Sequence, residues 1–153
     1  MTAPSLNWSA PLSAVSYLTT GLDSLADGSN VLGAAIDVSA IAAPNAYPAM
    51  MAVELVLASF TPGATPYALL WRLDTVDGTN YPDGGASVHP AAGAPVWTRG
   101  IQTGTGAKRV VFPPFRIYAM DFKLLIGNRT GAGLASSGNT LKYTVFTPTF
   151  PTV

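Results

Sequence analysis

Proline and glycine interrupt this chain so often that no long helix fits anywhere in it. Thirteen prolines and fifteen glycines are spread over 153 residues. Proline breaks a helix interior by removing a donor and clashing with the preceding turn, and glycine weakens it. Short strands between turns tolerate the same spacing. The length suits one domain built around one core.

Alternation of apolar and polar residues places the strands. Met50 to Phe60 is the strongest, with Met51, Val53, Leu55 and Leu57 on one face and Ala52, Glu54, Val56 and Ala58 on the other. Two mostly apolar faces predict a central strand covered on both sides. Tyr67 to Val76 alternates cleanly, and Leu69, Trp71 and Leu73 read as its core face, opposite Arg72 and Asp74. Residues 77–85 form a long turn or loop. Val96 to Gln102 is a weaker strand. Lys108 to Phe112 is a strand that Pro113-Pro114 stops, and Phe115 to Ala119 is a short extended connection. Asp121 to Ile126 sets Phe122, Leu124 and Ile126 on one face, and residues 127–131 turn the chain. Thr140 to Phe146 aligns Leu141, Tyr143 and Val145. Val31 to Val38 reads as a small-residue strand. Val15 to Leu25 fits either a helical spacing or an extended piece with a bend. Seven or eight such strands predict an all-β fold, an antiparallel β-sandwich of jelly-roll type, with an open barrel as the alternative. The sandwich spans residues 13–146, between an extended arm at 1–12 and a Pro-rich tail at 147–153.

Only 10% of the residues are charged while 48% are apolar, and eight basic residues cancel eight acidic ones. A soluble domain usually carries about 25% charge. A surface so poor in ions invites association, so neighbours are expected to cover part of it. No basic patch exists for phosphate neutralisation, and no nucleic-acid partner is expected; Lys108-Arg109 reads as a solvated strand end. The absence of cysteine excludes disulfides and thiolate metal sites. No run of 18 apolar residues occurs, and Met1-Thr2-Ala3-Pro4 opens neither a basic nor an apolar leader region, so neither a membrane partner nor a secretory leader is expected.

Catalytic chemistry has little to work with. The single histidine, His89, sits in a loop rich in Pro, Gly and Ala, and no Gly-x-Ser-x-Gly elbow presents a serine to it. One histidine cannot build a zinc site. Asp74, Asp77 and Asp83 flank one loop, but without the spacing of a calcium loop; Asp-Gly turn chemistry explains them better. Glu54, inside an apolar strand, reads as a paired or edge residue. The Gly-rich runs are turns, none with a P-loop lysine. The expectation is therefore no catalytic residue, no metal and no cofactor. For partner binding the candidates are Trp8 and Leu12 in the arm, Tyr81 in the long loop and Phe150 in the tail, since extended Pro-bearing termini order at low cost and large apolar anchors dominate interfaces. Tyr81 is also the best surface aromatic for a sugar, though one tyrosine is a thin basis for a lectin.

Three segments carry a resemblance. They are Tyr17-Leu18-Thr19-Thr20-Gly21-Leu22-Asp23-Ser24-Leu25-Ala26-Asp27-Gly28-Ser29-Asn30, then Leu73-Asp74-Thr75-Val76-Asp77-Gly78-Thr79-Asn80-Tyr81, then Phe122-Lys123-Leu124-Leu125-Ile126-Gly127-Asn128-Arg129-Thr130-Gly131 with Ser137-Gly138-Asn139-Thr140-Leu141-Lys142-Tyr143. In this order, over roughly residues 15–145, the chain resembles small virion structural proteins of tailed bacteriophages. The resemblance implies a capsid cement or decoration protein located on the virion. Its partners would be the major capsid protein or other virion proteins and copies of itself, commonly as a trimer. A tail component (knob, adaptor or receptor-binding module) is the alternative, with loops 77–95 and 99–107 facing the host, and a carbohydrate-binding module ranks behind it.

Overall fold

The computed structural model describes residues 7–8, 10–41, 49–90 and 97–149. Its elements are β1 (Asn7–Trp8), β2 (Val15–Leu18), β3 (Asn30–Leu32), α1 (Val38–Ile41), β4 (Ala49–Leu57), β5 (Tyr67–Asp74), β6 (Trp97–Gly100), β7 (Lys108–Ile117), β8 (Phe122–Arg129), β9 (Thr140–Phe146) and β10 (Pro148–Thr149). Two four-stranded antiparallel sheets, β2-β9-β4-β7 and β3-β8-β5-β6, form a sandwich. Counting β2 to β9 as strands one to eight, the sheets read 1-8-3-6 and 2-7-4-5. Successive strands alternate between sheets except at one hairpin, which is the double Greek key of a jelly roll. The arm and the tail meet, with Asn7 opposite Thr149 and Trp8 opposite Pro148 in β1 and β10.

The core lies between the sheets. Met51, Val53, Leu55 and Leu57 of β4, which share a face as their spacing predicts, point inward beside Phe112 and Ile117 of β7 and Leu141 and Val145 of β9. They meet Leu70 of β5 and Phe122, Leu124 and Ile126 of β8 in one cluster. Trp97 of β6 stacks on Phe115 of β7, with ring centroids 4.5 Å apart, and closes the side where the two sheet edges adjoin. The outer face of β4, including Ala52, Glu54 and Val56, is only half-buried, so this central strand is covered on one side rather than both.

Pro113-Pro114 does not stop its strand. β7 runs on to Ile117 through a bulge, with Phe112 opposite Val53 and Phe115 opposite Met51. The extra residue resets the alternation, so that Phe112 and Phe115, three apart, both face the core. β7 is a sheet edge, where a missing N–H breaks no ladder and the bulge blunts pairing with another chain.

The expected strand Val31–Val38 is shorter. β3 ends at Leu32, Ile36 makes a single bridge to Phe122, and Val38 begins α1. Asp37 starts that turn: its Oδ1 accepts from Ser39 N at 2.8 Å, Ser39 Oγ at 2.6 Å and Ala40 N at 3.2 Å. Asp121 Oδ1 accepts from Val38 N at 3.0 Å. β8, conversely, continues past the expected turn at Gly127 as far as Arg129.

The faces of β5 are the reverse of the sequence reading. Ala68 and Leu70 point into the core, while Trp71 and Leu73 form a second cluster with Leu125 on the outer side, joined by Leu32 and Leu69. Arg72 lies at the sandwich end among Phe115, Tyr118 and Phe122, with its guanidinium carbon 5.4–5.7 Å from their centroids. It pairs with Asp74 through Nε at 2.9 Å and Nη2 at 3.0 Å, and donates to Arg116 O at 2.8 Å. Ring faces and a bidentate carboxylate satisfy a planar cation that is taken partly out of water.

Candidate interaction surfaces

The two sheets end in different outer surfaces. That of β3-β8-β5-β6 is covered by the chain itself. Residues 75–90 fold back over Trp71, Leu73 and Leu125. Gly84 lies directly on Leu73, since a Cβ there would sit 2.9 Å from Leu73 Cδ1. Asn30 fastens the loop from the neighbouring strand, donating from its backbone to Ala86 O at 3.1 Å and from Nδ2 to Gly85 O at 3.4 Å. The loop's own turn is held by Asp77, whose carboxylate accepts from Thr75 Oγ1, Thr79 N, Asn80 N and Asn80 Nδ2 at 2.7–3.0 Å. Four donors, the Asn80 backbone first, hold this carboxyl far below the usual range, and the Ser39 hydroxyl and Ala40 N–H lower Asp37 likewise.

A depressed carboxyl pKa contributes stability that is present above the unfolded value, about 3.9 for aspartate, and is lost as pH falls through the folded value. Acidification below about pH 4 is therefore expected to loosen residues 75–80 before the sheets. Amide hydrogen exchange at pH 6 and pH 3, corrected for intrinsic rates, checks this; Asp77→Ala should show the loosened loop already at pH 6.

The outer face of β2-β9-β4-β7 has no such cover among the described residues. Val111 of β7 is 56% exposed, beside half-buried Ala52 and Thr144. Ala14, Ala52, Val111, Lys142 and Thr144 line a shallow, mostly apolar depression of ≈ 220 Å³. Among the described residues one ion pair crosses the face, Arg109 Nε to Glu54 Oε1 at 3.2 Å, so of the two sequence readings Glu54 is the paired residue and, on interior strand β4, not an edge one. Leu12, 60% exposed, runs along the β9 side, where its N–H donates to Val145 O at 2.9 Å and its carbonyl accepts from the Thr144 hydroxyl.

Of the other sequence candidates, Tyr81 belongs to the covering loop on the opposite sheet. It is half-buried with the Lys123 ammonium 4.1 Å from its ring centre. Trp8 pairs through its backbone with Pro148, and Phe150 lies outside the described residues. Leu12 and Tyr81 are therefore on different faces and do not form one site. His89 is exposed at the end of the loop. Its ring centre is 5.9 Å from that of Trp71, and its nitrogens are 3.2 and 3.4 Å from Arg129 Nη2. Asp74 faces Arg72 and Asp77 faces its own turn, and among the described residues no three metal-ligating side chains converge.

Sequence reasoning missed a polar pocket at the end of the sandwich where the loops after β2, β4 and β8 meet. This end is laced together by buried polar groups. Asn139 Nδ2 donates to Asp23 Oδ1 at 2.8 Å and to Ala135 O at 2.7 Å, while its Oδ1 accepts from Ala58 N at 3.1 Å. Asn128 Nδ2 donates to Leu25 O and Ala132 O, both at 2.9 Å. The signal was present only as scattered Asp and Gly residues, which single-segment reading assigns to separate turns. No family model, curated protein or solved structure matches the chain.

Proposed function

We propose that this chain is a non-enzymatic virion structural protein that decorates or cements a capsid shell, through contacts with copies of itself and with the shell protein. The observation that supports this most is the asymmetry of the two sheets. One apolar outer face is covered by the chain's own loop; the other, which carries Ala52 and Val111, has no such cover and one ion pair across it among the described residues. Apolar Ala14, Ala52 and Val111 lie on this face beside Glu54, Lys142 and Thr144, a mixture of apolar and polar groups such as protein interfaces carry. The rest of the surface adds few steering charges. Seven of the eight acidic residues accept hydrogen bonds within the chain: Asp23, Asp27, Asp37, Glu54, Asp74, Asp77 and Asp121. Jelly rolls serve capsid and lectin domains among others, and the resemblance carried by residues 17–30, 73–81 and 122–143 favours the capsid use.

Val111→Asp tests the reading. It sets a carboxylate on the exposed apolar part of the open face, directly opposite Glu54 in the sheet register, without touching the core. Self-association and binding to expanded shells are both expected to weaken by at least about tenfold, because an unpaired charge in an interface costs more than 1.4 kcal/mol. Thermal unfolding of the isolated chain should move little. Copy number decides between cement and the tail alternative: hundreds per particle for the first, a handful for the second. A wild-type chain that ignores expanded shells in co-sedimentation removes the reading.

A further inference from the structure

The pocket at the loop end is distinct from the open sheet face, and its lining has a consistent chemistry. Its volume is ≈ 250 Å³, and Asp27, Gly63, Thr65, Tyr67, Arg129 and Gly131 are in its wall. The floor is glycine backbone. Gly63 N donates to Thr130 O at 2.7 Å, and a Cβ on Gly63 would lie 3.3 Å from Gly131 Cα, so two loops touch where no side chain intervenes. Gly131 has φ 75°, a left-handed conformation that glycine adopts without strain. This turn aims its N–H at Asp27 Oδ1, 2.8 Å away. Among the described residues Asp27 Oδ2 and the Thr65 hydroxyl have no protein partner.

One wall is aromatic. Tyr67, 38% exposed, stands between Arg129 and Gly100 in the sheet register, and Gly100 has no side chain to shield the ring. The Arg129 guanidinium is fixed through Nη1 by Ser29 O at 3.1 Å and Asn128 O at 2.6 Å, and through Nη2 by Asn30 Oδ1 at 2.9 Å and the His89 ring nitrogens at 3.2 and 3.4 Å. The pocket thus presents a fixed carboxylate, a fixed guanidinium, a free hydroxyl and an open ring face.

We propose that this pocket binds a neutral glycosyl ring. The carboxylate oxygen accepts from vicinal hydroxyls, the Arg129 Nε–H, whose Nη neighbours are already engaged by protein groups, donates to a ring or hydroxyl oxygen, and the apolar C–H face of the sugar packs on Tyr67. The opposed charges select neutrality: Asp27 repels an anion and Arg129 repels a cation. The volume is below the about 300–1,000 Å³ of drug-sized sites, so it takes one ring and not an oligosaccharide. The inference is independent of the capsid reading, since the pocket uses none of the open-face residues.

The test is amide chemical-shift titration of the full chain with methyl glucoside, methyl galactoside, methyl mannoside and N-acetylglucosamine, each to tens of millimolar, with inorganic phosphate and tetramethylammonium as charged probes. At least one sugar is expected to give saturable shifts confined to residues 27, 63–67 and 129–131. Tyr67→Ala and Asp27→Asn should each weaken that binding by about tenfold or more. Both should keep the wild-type amide spectrum elsewhere, since Tyr67 is exposed and asparagine retains the acceptor for Gly131 N. Absence of shifts with all four sugars overturns the proposal. So do shifts that survive both substitutions, or tighter binding of either charged probe.

Discussion

Replacing Gly33 with alanine is expected to destabilise the domain by about 3 kcal/mol, from overpacking and two lost hydrogen bonds. Gly33 is buried where the ring of Tyr17 crosses it, and an added Cβ would lie 2.1–2.3 Å from Tyr17 Cε1, Cζ and OH. No contact of that length exists, so the ring must leave. It is not free to do so. The Tyr17 hydroxyl donates to Ala34 O at 2.5 Å and accepts from Leu124 N at 3.1 Å, and the ring stands edge-on to Tyr143 at 6.1 Å. Burial pushes its pKa up to about 12, the mark of a hydroxyl taken out of water. This hydroxyl partners a β8 amide beyond the end of β3, so its departure orphans a backbone N–H in the core. For a chain of this size the melting temperature should fall by roughly 6–12 °C. Urea unfolding of Gly33→Ala, Tyr17→Ala and the double variant checks the cause. The two losses should be strongly non-additive, because removing the ring removes the clash. A Gly33→Ala chain as stable as the wild type would show that Tyr17 is not seated there.

Trp71→Ala is expected to cost about 3–5 kcal/mol, the range for truncating a buried large aromatic. The effect should be uneven. Trp71 is 4% exposed, yet it packs on the outside of its sheet, beneath residues 75–90 and against Gly127. Its indole leaves no room for a side chain at Gly127, where a Cβ would lie 2.9 Å from Trp71 Cζ3. Removing it opens the outer cluster while leaving the inter-sheet core intact. Limited proteolysis should therefore cut within residues 75–90 at conditions where β4 and β9 still protect their amides. Uniform loss of protection across both sheets would place Trp71 in the main core instead.

The strand pattern was readable because alternation reports which residues share a face. Met51, Val53, Leu55 and Leu57 do share one face, although the apolar residues around Glu54 made both faces of that strand look covered. Alternation does not report which face turns inward when both carry apolar groups. Leu69, Trp71 and Leu73 look more like core than Ala68 and Leu70, yet the smaller pair faces the other sheet. The larger residues are outside because residues 75–90 cover them, and a loop's destination leaves no periodicity in sequence. Pro113-Pro114 reads as a stop, because proline removes ladder donors; an edge strand with a bulge evades that cost, and edges are set by topology. The polar pocket was hidden for a different reason. Asp27, Gly63 and Gly131 come from three loops, and only the jelly-roll crossings bring them together.

Under the proposed function, another copy covers the outer face of β2-β9-β4-β7 that the described residues leave open. Light scattering on the purified chain, from micromolar to millimolar concentration and at low and high salt, measures that directly. A mass settling at an integer multiple of 15.8 kDa, little affected by salt and lowered to the single-chain value by Val111→Asp, is the predicted result. A constant 15.8 kDa at every concentration would contradict it.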